Sequence, residues 1–303
     1  KSNELVKGSF ILIFLTVISN AFSYLLQLFM ARKLGPADYG IFAVLTGIMY
    51  IFTIPTASIQ TVVSKYTTEF SVHKEYGKIK GMLNYLIKKF TIISTIFFIV
   101  YAVICIFAAD YLKISYWLLF LTGFFIFSSF IYPITAGIVQ GMKKFVALGL
   151  NGVINCGSRL LLGVILVFLG LKVYGAVTAF IFGFIIAILI LVISIKDISS
   201  AKSFDGEVSV FGKTSQYIFW AMIPLVLLYS MDVIFARLFF QPEIAGKYAV
   251  MSMIGKIILF VLLSITTALL PINSEKSAVG KETKHVLKKA MFRNVVYKSN
   301  YDI

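Results

Sequence analysis

Eight stretches of this chain run for about twenty residues or more with almost no charge: 8–31, 39–63, 89–109, 115–138, 145–171, 174–195, 216–240 and 245–271. About 20 predominantly apolar residues in a helix are what it takes to cross the hydrocarbon core of a bilayer. The runs are continuous. Strands of a membrane barrel would instead alternate apolar and polar positions in segments of about ten residues. The chain is 59% apolar and 14% charged, whereas soluble domains carry about 25% charged residues. No soluble core hides that much apolar surface, so the sequence predicts an all-α polytopic membrane protein with about eight transmembrane helices.

The formal net charge is +15. In a soluble protein such a charge points to nucleic acid, but its placement here points elsewhere. With the N-terminus inside, twenty of the 28 Lys and Arg residues fall in inner segments, notably Lys65, Lys74, Lys78, Lys80, Lys88 and Lys89 and the stretch Lys276 to Lys298. Six fall outside, and Arg159 and Lys256 remain within apolar runs. The positive-inside rule then sets the orientation and predicts a multi-pass protein of the cytoplasmic membrane. The basic segments face anionic lipid headgroups, and no nucleic-acid partner is needed. The outer connections are short. The larger loops, 65–88 and 196–215, are expected on the cytoplasmic side. Cys105 and Cys156 lie in apolar runs and define no disulfide framework.

One phrase occurs twice. FMARKLGPADYGIFAV (29–44) returns as FARLFFQPEIAGKYAV (235–250). Arg32 matches Arg237 at an offset of 205; Pro36, Gly40 and Ala43-Val44 match Pro242, Gly246 and Ala249-Val250 at 206, so one residue is added in the second turn. Self-similarity at a fixed spacing reads as duplication of a structural unit. Six helices separate the copies, so both cross the membrane in the same sense. Parallel repeats are related by an axis along the membrane normal, with substrate between the halves. The expected units are a first six-helix lobe (1–198), a cytoplasmic linker (199–215) and the start of a second lobe (216–303). The local task of Arg32, Gly35, Pro36 and Gly40, and of Arg237, Pro242 and Gly246, is a tight turn between helices, with the arginines as interfacial anchors.

ARKLGPADYGIF after one apolar helix, with its echo DVIFARLFFQPEIAGKYAV, resembles the polysaccharide transporters, the O-antigen-flippase-like branch of the multidrug/oligosaccharidyl-lipid/polysaccharide exporter superfamily. The resemblance implies a two-lobed fold of twelve to fourteen helices. It also implies export of a polyprenyl-pyrophosphate-linked oligosaccharide by alternating access, with polysaccharide-assembly enzymes as partners. This chain departs from the pattern. Its second copy extends only about 90 residues, so the expectation is a C-terminally truncated protein, inactive alone, with the second lobe incomplete.

Candidate substrate-contacting residues are the polar groups inside the apolar runs. Asn151, Asn155 and Arg159 share one helix face at spacing i, i+4, i+8. An intramembrane Arg is costly and marks a functional site by default. It either lines a cavity or pairs with carbonyls of another helix. Asp232 and Lys256 correspond through the repeat to Gln27 and Tyr50. These four either line a cavity between lobes or, for the charged two, form a packing ion pair. Cationic groups suit a pyrophosphate. No phosphate-loop, nucleophile-elbow or zinc-spacing motif occurs, so no cofactor, metal or catalytic residue is expected and the chain reads as a transporter rather than an enzyme. Two other functions compete. One is an ion-coupled multidrug or small-molecule exporter of the same superfamily, which the cationic interior disfavours. The other is a membrane-embedded glycan polymerase or acyltransferase, which the short outer loops disfavour.

Overall fold

The computed structural model of the protein describes residues 2–199 and 213–256. Every regular element among the described residues is helical: α1 (Ser2–Phe52), α2 (Ile54–Val72), α3 (Tyr76–Leu112), α4 (Tyr116–Gly123), α5 (Phe125–Gly141), α6 (Phe145–Leu166), α7 (Lys172–Ser194), the short α8 (Lys196–Ser199), α9 (Lys213–Phe239) and α10 (242–256). Five stretches are long and apolar enough to cross a membrane: Ile11–Val72, Tyr76–Leu112, Tyr116–Gly141, Phe145–Ser194 and Gln216–Phe239. The expected run 245–271 lies largely outside the described residues, as do most of the linker 199–215 and the rest of the second lobe from 257 onward.

Two of these stretches each take in two of the apolar runs read from sequence. Ile11–Val72 has 62 residues. Drawn straight at 1.5 Å per residue it would measure about 93 Å, three times the ~30 Å hydrocarbon core. It reverses at Gly35, whose φ of 76° and ψ of 167° lie in a region open essentially to glycine alone. Pro36 then opens the returning helix with its φ already fixed. The reversal is visible in a contact: the Tyr39 hydroxyl donates to Gln27 Oε1 at 3.3 Å, although twelve residues of straight helix span about 18 Å. The second copy of the phrase turns at Phe240–Gln241 without glycine. The added residue noted in the sequence does there what Gly35 does in the first copy. Phe145–Ser194 turns in the same way at a single π-helical turn, Val167–Leu171, where Gly170 has φ 87°. Around this bend a Cβ on Gly163 would meet Ala179 Cβ at 3.6 Å.

The predicted inner loop 65–88 is mostly helix. α2 continues to Val72 and α3 starts at Tyr76, leaving only His73, Lys74 and Glu75 between them, with Lys74 left-handed at φ 58°. Apolar counting stops where a helix leaves hydrocarbon, but the backbone hydrogen-bonding pattern does not. Pro55 occupies the first turn of α2. There its missing N–H costs nothing.

Two buried clusters fill the bundle at its two ends. One gathers Met30, Tyr39, Phe42, Leu45, Leu119, Val173 and Val177 near the turns at Gly35 and Gly170. The other gathers Ile59, Val63, Ile79, Met82, Leu86, Ile134 and Leu191 near the α2–α3 turn. The copies of the repeated phrase pack directly on each other. A Cβ on Gly40 would sit 2.9 Å from Gly246 Cα, and one on Gly246 would overlap the Pro36 carbonyl. Only glycine lets two backbones approach this closely. The two arginines of the phrase behave differently. Arg32 is exposed, whereas Arg237 is 6% exposed. Its Nε donates to the Leu112 carbonyl at 2.9 Å and its Nη2 to the Lys113 carbonyl at 3.0 Å. It thus satisfies C-terminal carbonyls of α3 that have no intrahelical partner. The sequence reading made the pair equivalent interfacial anchors. Arg237 is instead a buried latch on α3.

Candidate functional site

α6 carries Asn151, Asn155 and Arg159 on one face, and α7 receives them. Asn151 is fully buried. Its Nδ2 donates to the Ala187 carbonyl at 2.7 Å, and its Oδ1 accepts from the Tyr132 hydroxyl at 3.3 Å. Its hydrogen bonds therefore tie α6 to α7 and α5. Asn155, also buried, accepts from Arg159 Nε at 2.5 Å through Oδ1. The Arg159 stem lies against α7 where Gly183 leaves room, since a Cβ there would overlap Arg159 Cγ. Its guanidinium carbon stands 4.4 Å from the Phe184 ring centre and 5.1 Å from that of Phe180. Such placement is favourable for a cation, more so away from water.

Arg159 is therefore held on three sides: by the Asn155 amide, two aromatic faces and a glycine. Guanidinium offers five N–H donors. Among the described residues only Nε donates to protein. Arg159 as a residue is half-buried, and neither Nη1 nor Nη2 has a hydrogen-bond acceptor among the described residues. That is the end suited to two oxygens of a phosphate or carboxylate.

A second charged centre joins α9 to α10. Lys256 Nζ is 2.9 Å from Asp232 Oδ1, and the Ser252 hydroxyl donates to Asp232 Oδ2 at 2.5 Å. Both charged side chains are largely shielded, at 18% and 24% exposure. Lys256 Nζ also stands 4.7 Å from the Tyr229 ring centre, and Tyr229 packs edge-on against Tyr50 at 5.2 Å between ring centres. Tyr50 thereby stands beside the second centre, against the ring that Lys256 faces. Gln27 joins from α1 through the Tyr39 hydroxyl, itself 3.4 Å from Met253 Sδ on α10.

Tyr50 thus stands beside the Asp232–Lys256 pair through Tyr229, while Gln27 stands at the α1–α10 contact. Asn151 and Asn155 lie behind Arg159. Tyr229, Ser252, Phe180, Gly183 and Phe184 were not singled out from sequence. Tyr229 was within reach, because it matches Tyr24 at the same offset of 205 that pairs Asp232 with Gln27. The aromatic cradle gave no such sign, since Phe and Gly abound in every apolar run.

These observations define a multi-pass helical membrane protein with charged groups facing its interior. A family model described as polysaccharide biosynthesis protein matches residues 5–276, and the chain belongs to that family. No curated protein matches it closely enough to count as a relative. Among solved structures it is similar to an inward-facing multidrug resistance MATE family transporter of the MOP superfamily, with a TM-score of 0.56 and 14% identity over 86% of this chain. A MATE structure in complex with Br-NRF aligns at TM-score 0.57 and 13% identity, covering 90% of this chain and 66% of that one. A MOP superfamily transporter from Pyrococcus furiosus, described as having a binding pocket of reverse polarity that suggests a different function, aligns at 0.50 and 14% identity, with 98% of this chain and 74% of that one covered. The chain spans 61% of the length of the first of these. At such identities the likeness establishes the fold.

Proposed function

We propose that this chain belongs to a flippase that carries a lipid-linked oligosaccharide across the cytoplasmic membrane by alternating access, with its basic ends inside. The observation that carries the reading is the forked end of Arg159, oriented by Asn155, Phe180 and Phe184 and left without a protein acceptor inside an apolar bundle. An intramembrane cation held ready in this way suits a bidentate anion, and a pyrophosphate linking lipid to sugar supplies one. Membership of a polysaccharide biosynthesis family supports the saccharide part of the substrate. Asp232, Lys256, Tyr50 and Gln27 line the route between the halves, and Asn151 and Asn155 set the position of Arg159.

The second reading, export of drugs or other small molecules, draws on the MATE fold. A free guanidinium repels organic cations, so that reading is confined to neutral or anionic cargo. The test is calorimetric titration of the purified chain with farnesyl pyrophosphate. Arg159→Gln is expected to weaken binding by about tenfold or more, the equivalent of one good charge-assisted contact, and Arg159→Lys by less. Equal affinity in all three proteins would refute the assignment.

A further inference from the structure

A cleft of about 600 Å³ opens where the end of α1 and start of α2 meet α3, α5 and α9. That volume is within the roughly 300–1,000 Å³ usual for ligand sites. Its walls are hydrocarbon: Phe52, Phe90, Phe97, Phe130, Phe219 and Trp220 supply six aromatic rings, and Ser58 and Gln216 are the polar members. It is open at the bundle surface, where Phe97 is 57% and Trp220 68% exposed. All of its walls belong to stretches long and apolar enough to cross a membrane, so the lining suits a hydrocarbon chain.

We infer that this cleft holds the hydrocarbon tail of the substrate whose anionic head meets Arg159; the inference rests on the function proposed above. The cleft and the charged interior are joined in sequence and space. Ile51 and Phe52, in the cleft wall, directly follow Tyr50, whose ring packs against that of Tyr229 beside Lys256. One turn of α1 therefore passes from a charged, hydroxyl-bearing site to a largely apolar one. A lipid pyrophosphate has the same order of chemistry along its length. Bulk phospholipid lying in the cleft would place its head at the other end. There α3 exposes Lys89, four residues before Ile93 and eight before Phe97 on the same stripe. The two occupants thus point in opposite directions and depend on different cations.

The experiment is photolabelling of the full chain in nanodiscs, with residues identified by mass spectrometry. The probes are farnesyl pyrophosphate bearing a diazirine on its terminal isoprene unit and an anionic phospholipid bearing one at its acyl end. The expected result is farnesyl labelling at Phe97, Phe219 or Trp220 that unlabelled farnesyl pyrophosphate displaces. It falls about tenfold, equivalent to about 1.4 kcal/mol, in Ile93→Trp, which fills the cleft, and is unchanged in Lys89→Gln. Labelling spread over other helices, or equal labelling by the phospholipid that depends on Lys89, would overturn the tail site. Calorimetry separates the two levels. Arg159-dependent binding without cleft labelling refutes the tail site and leaves the head assignment standing. Displaceable cleft labelling with binding indifferent to Arg159 refutes the head assignment and with it the joined substrate path.

Discussion

At the scale of single residues, the two charged centres differ in what they leave free. Arg159 is oriented but keeps its forked end without an acceptor, whereas Lys256 is neutralised by Asp232. Removing one member of a shielded pair strands the other. Asp232→Asn should therefore destabilise the protein by about 1–3 kcal/mol, between the values for exposed and buried pairs. The double variant Asp232→Asn/Lys256→Met should recover most of the loss, as read by thermal unfolding in detergent. No recovery would mean that Asp232 acts mainly through Ser252. The position of Arg159 on a polar helix face was readable from the spacing of Asn151, Asn155 and Arg159. Its cradle was not. Phe180, Gly183 and Phe184 belong to α7, and which apolar residues of one helix face a given cation on another is a property of packing that no local pattern carries.

At the scale of elements, turns govern what the apolar runs can do. Gly35 occupies a backbone region that a side chain enters only with strain, so Gly35→Ala should cost about 1–3 kcal/mol and lower the midpoint of thermal unfolding. Substituting glycine for Gln241 in the second turn, which has no residue at positive φ, should not repair it. Arg237 leaves two α3 carbonyls bare when removed. Arg237→Met is expected to cost about 2–3 kcal/mol and to speed hydrogen exchange near Leu112, while Arg32→Met stays within about 0.5 kcal/mol. Equal effects of the two would contradict the difference in their burial. Among the described residues, helix existence and order followed from hydropathy because lipid forces the backbone to satisfy itself. Helix length did not. α2 and α3 run on past the apolar stretch to a three-residue turn, because leaving hydrocarbon removes the need for apolar side chains and not the stability of the helix.

At the scale of the whole molecule, the repeated phrase is a contact as well as a turn. Gly40 and Gly246 bring the α1 return and α10 together at backbone distance. Gly246→Val should force them apart. We expect a cysteine placed at Tyr39, beside this contact and 1% exposed in the intact protein, to react with a membrane-impermeant thiol reagent about tenfold faster in that background, a shift of about 1.4 kcal/mol in the population of the open form. Unchanged labelling would show that the contact does not close that end. The repeated phrase was legible in the sequence. That the phrases touch was not, since a repeat read along a chain says nothing about which of its surfaces meet.

Gly40 and Gly246 occupy the same position in the two copies, so each lies against its own counterpart. Contacts of that kind are the signature of an isologous interface, in which one surface patch pairs with itself. A half-length ancestor associating as a homodimer would have met its partner at this residue. Any side chain larger than hydrogen would then have been penalised twice by a single mutation. In a single chain the same change can occur in one half alone, yet it still meets backbone on the other side. The two glycines therefore remain answerable to each other while the residues around them, Arg32 and Arg237 among them, have been free to take up unlike tasks.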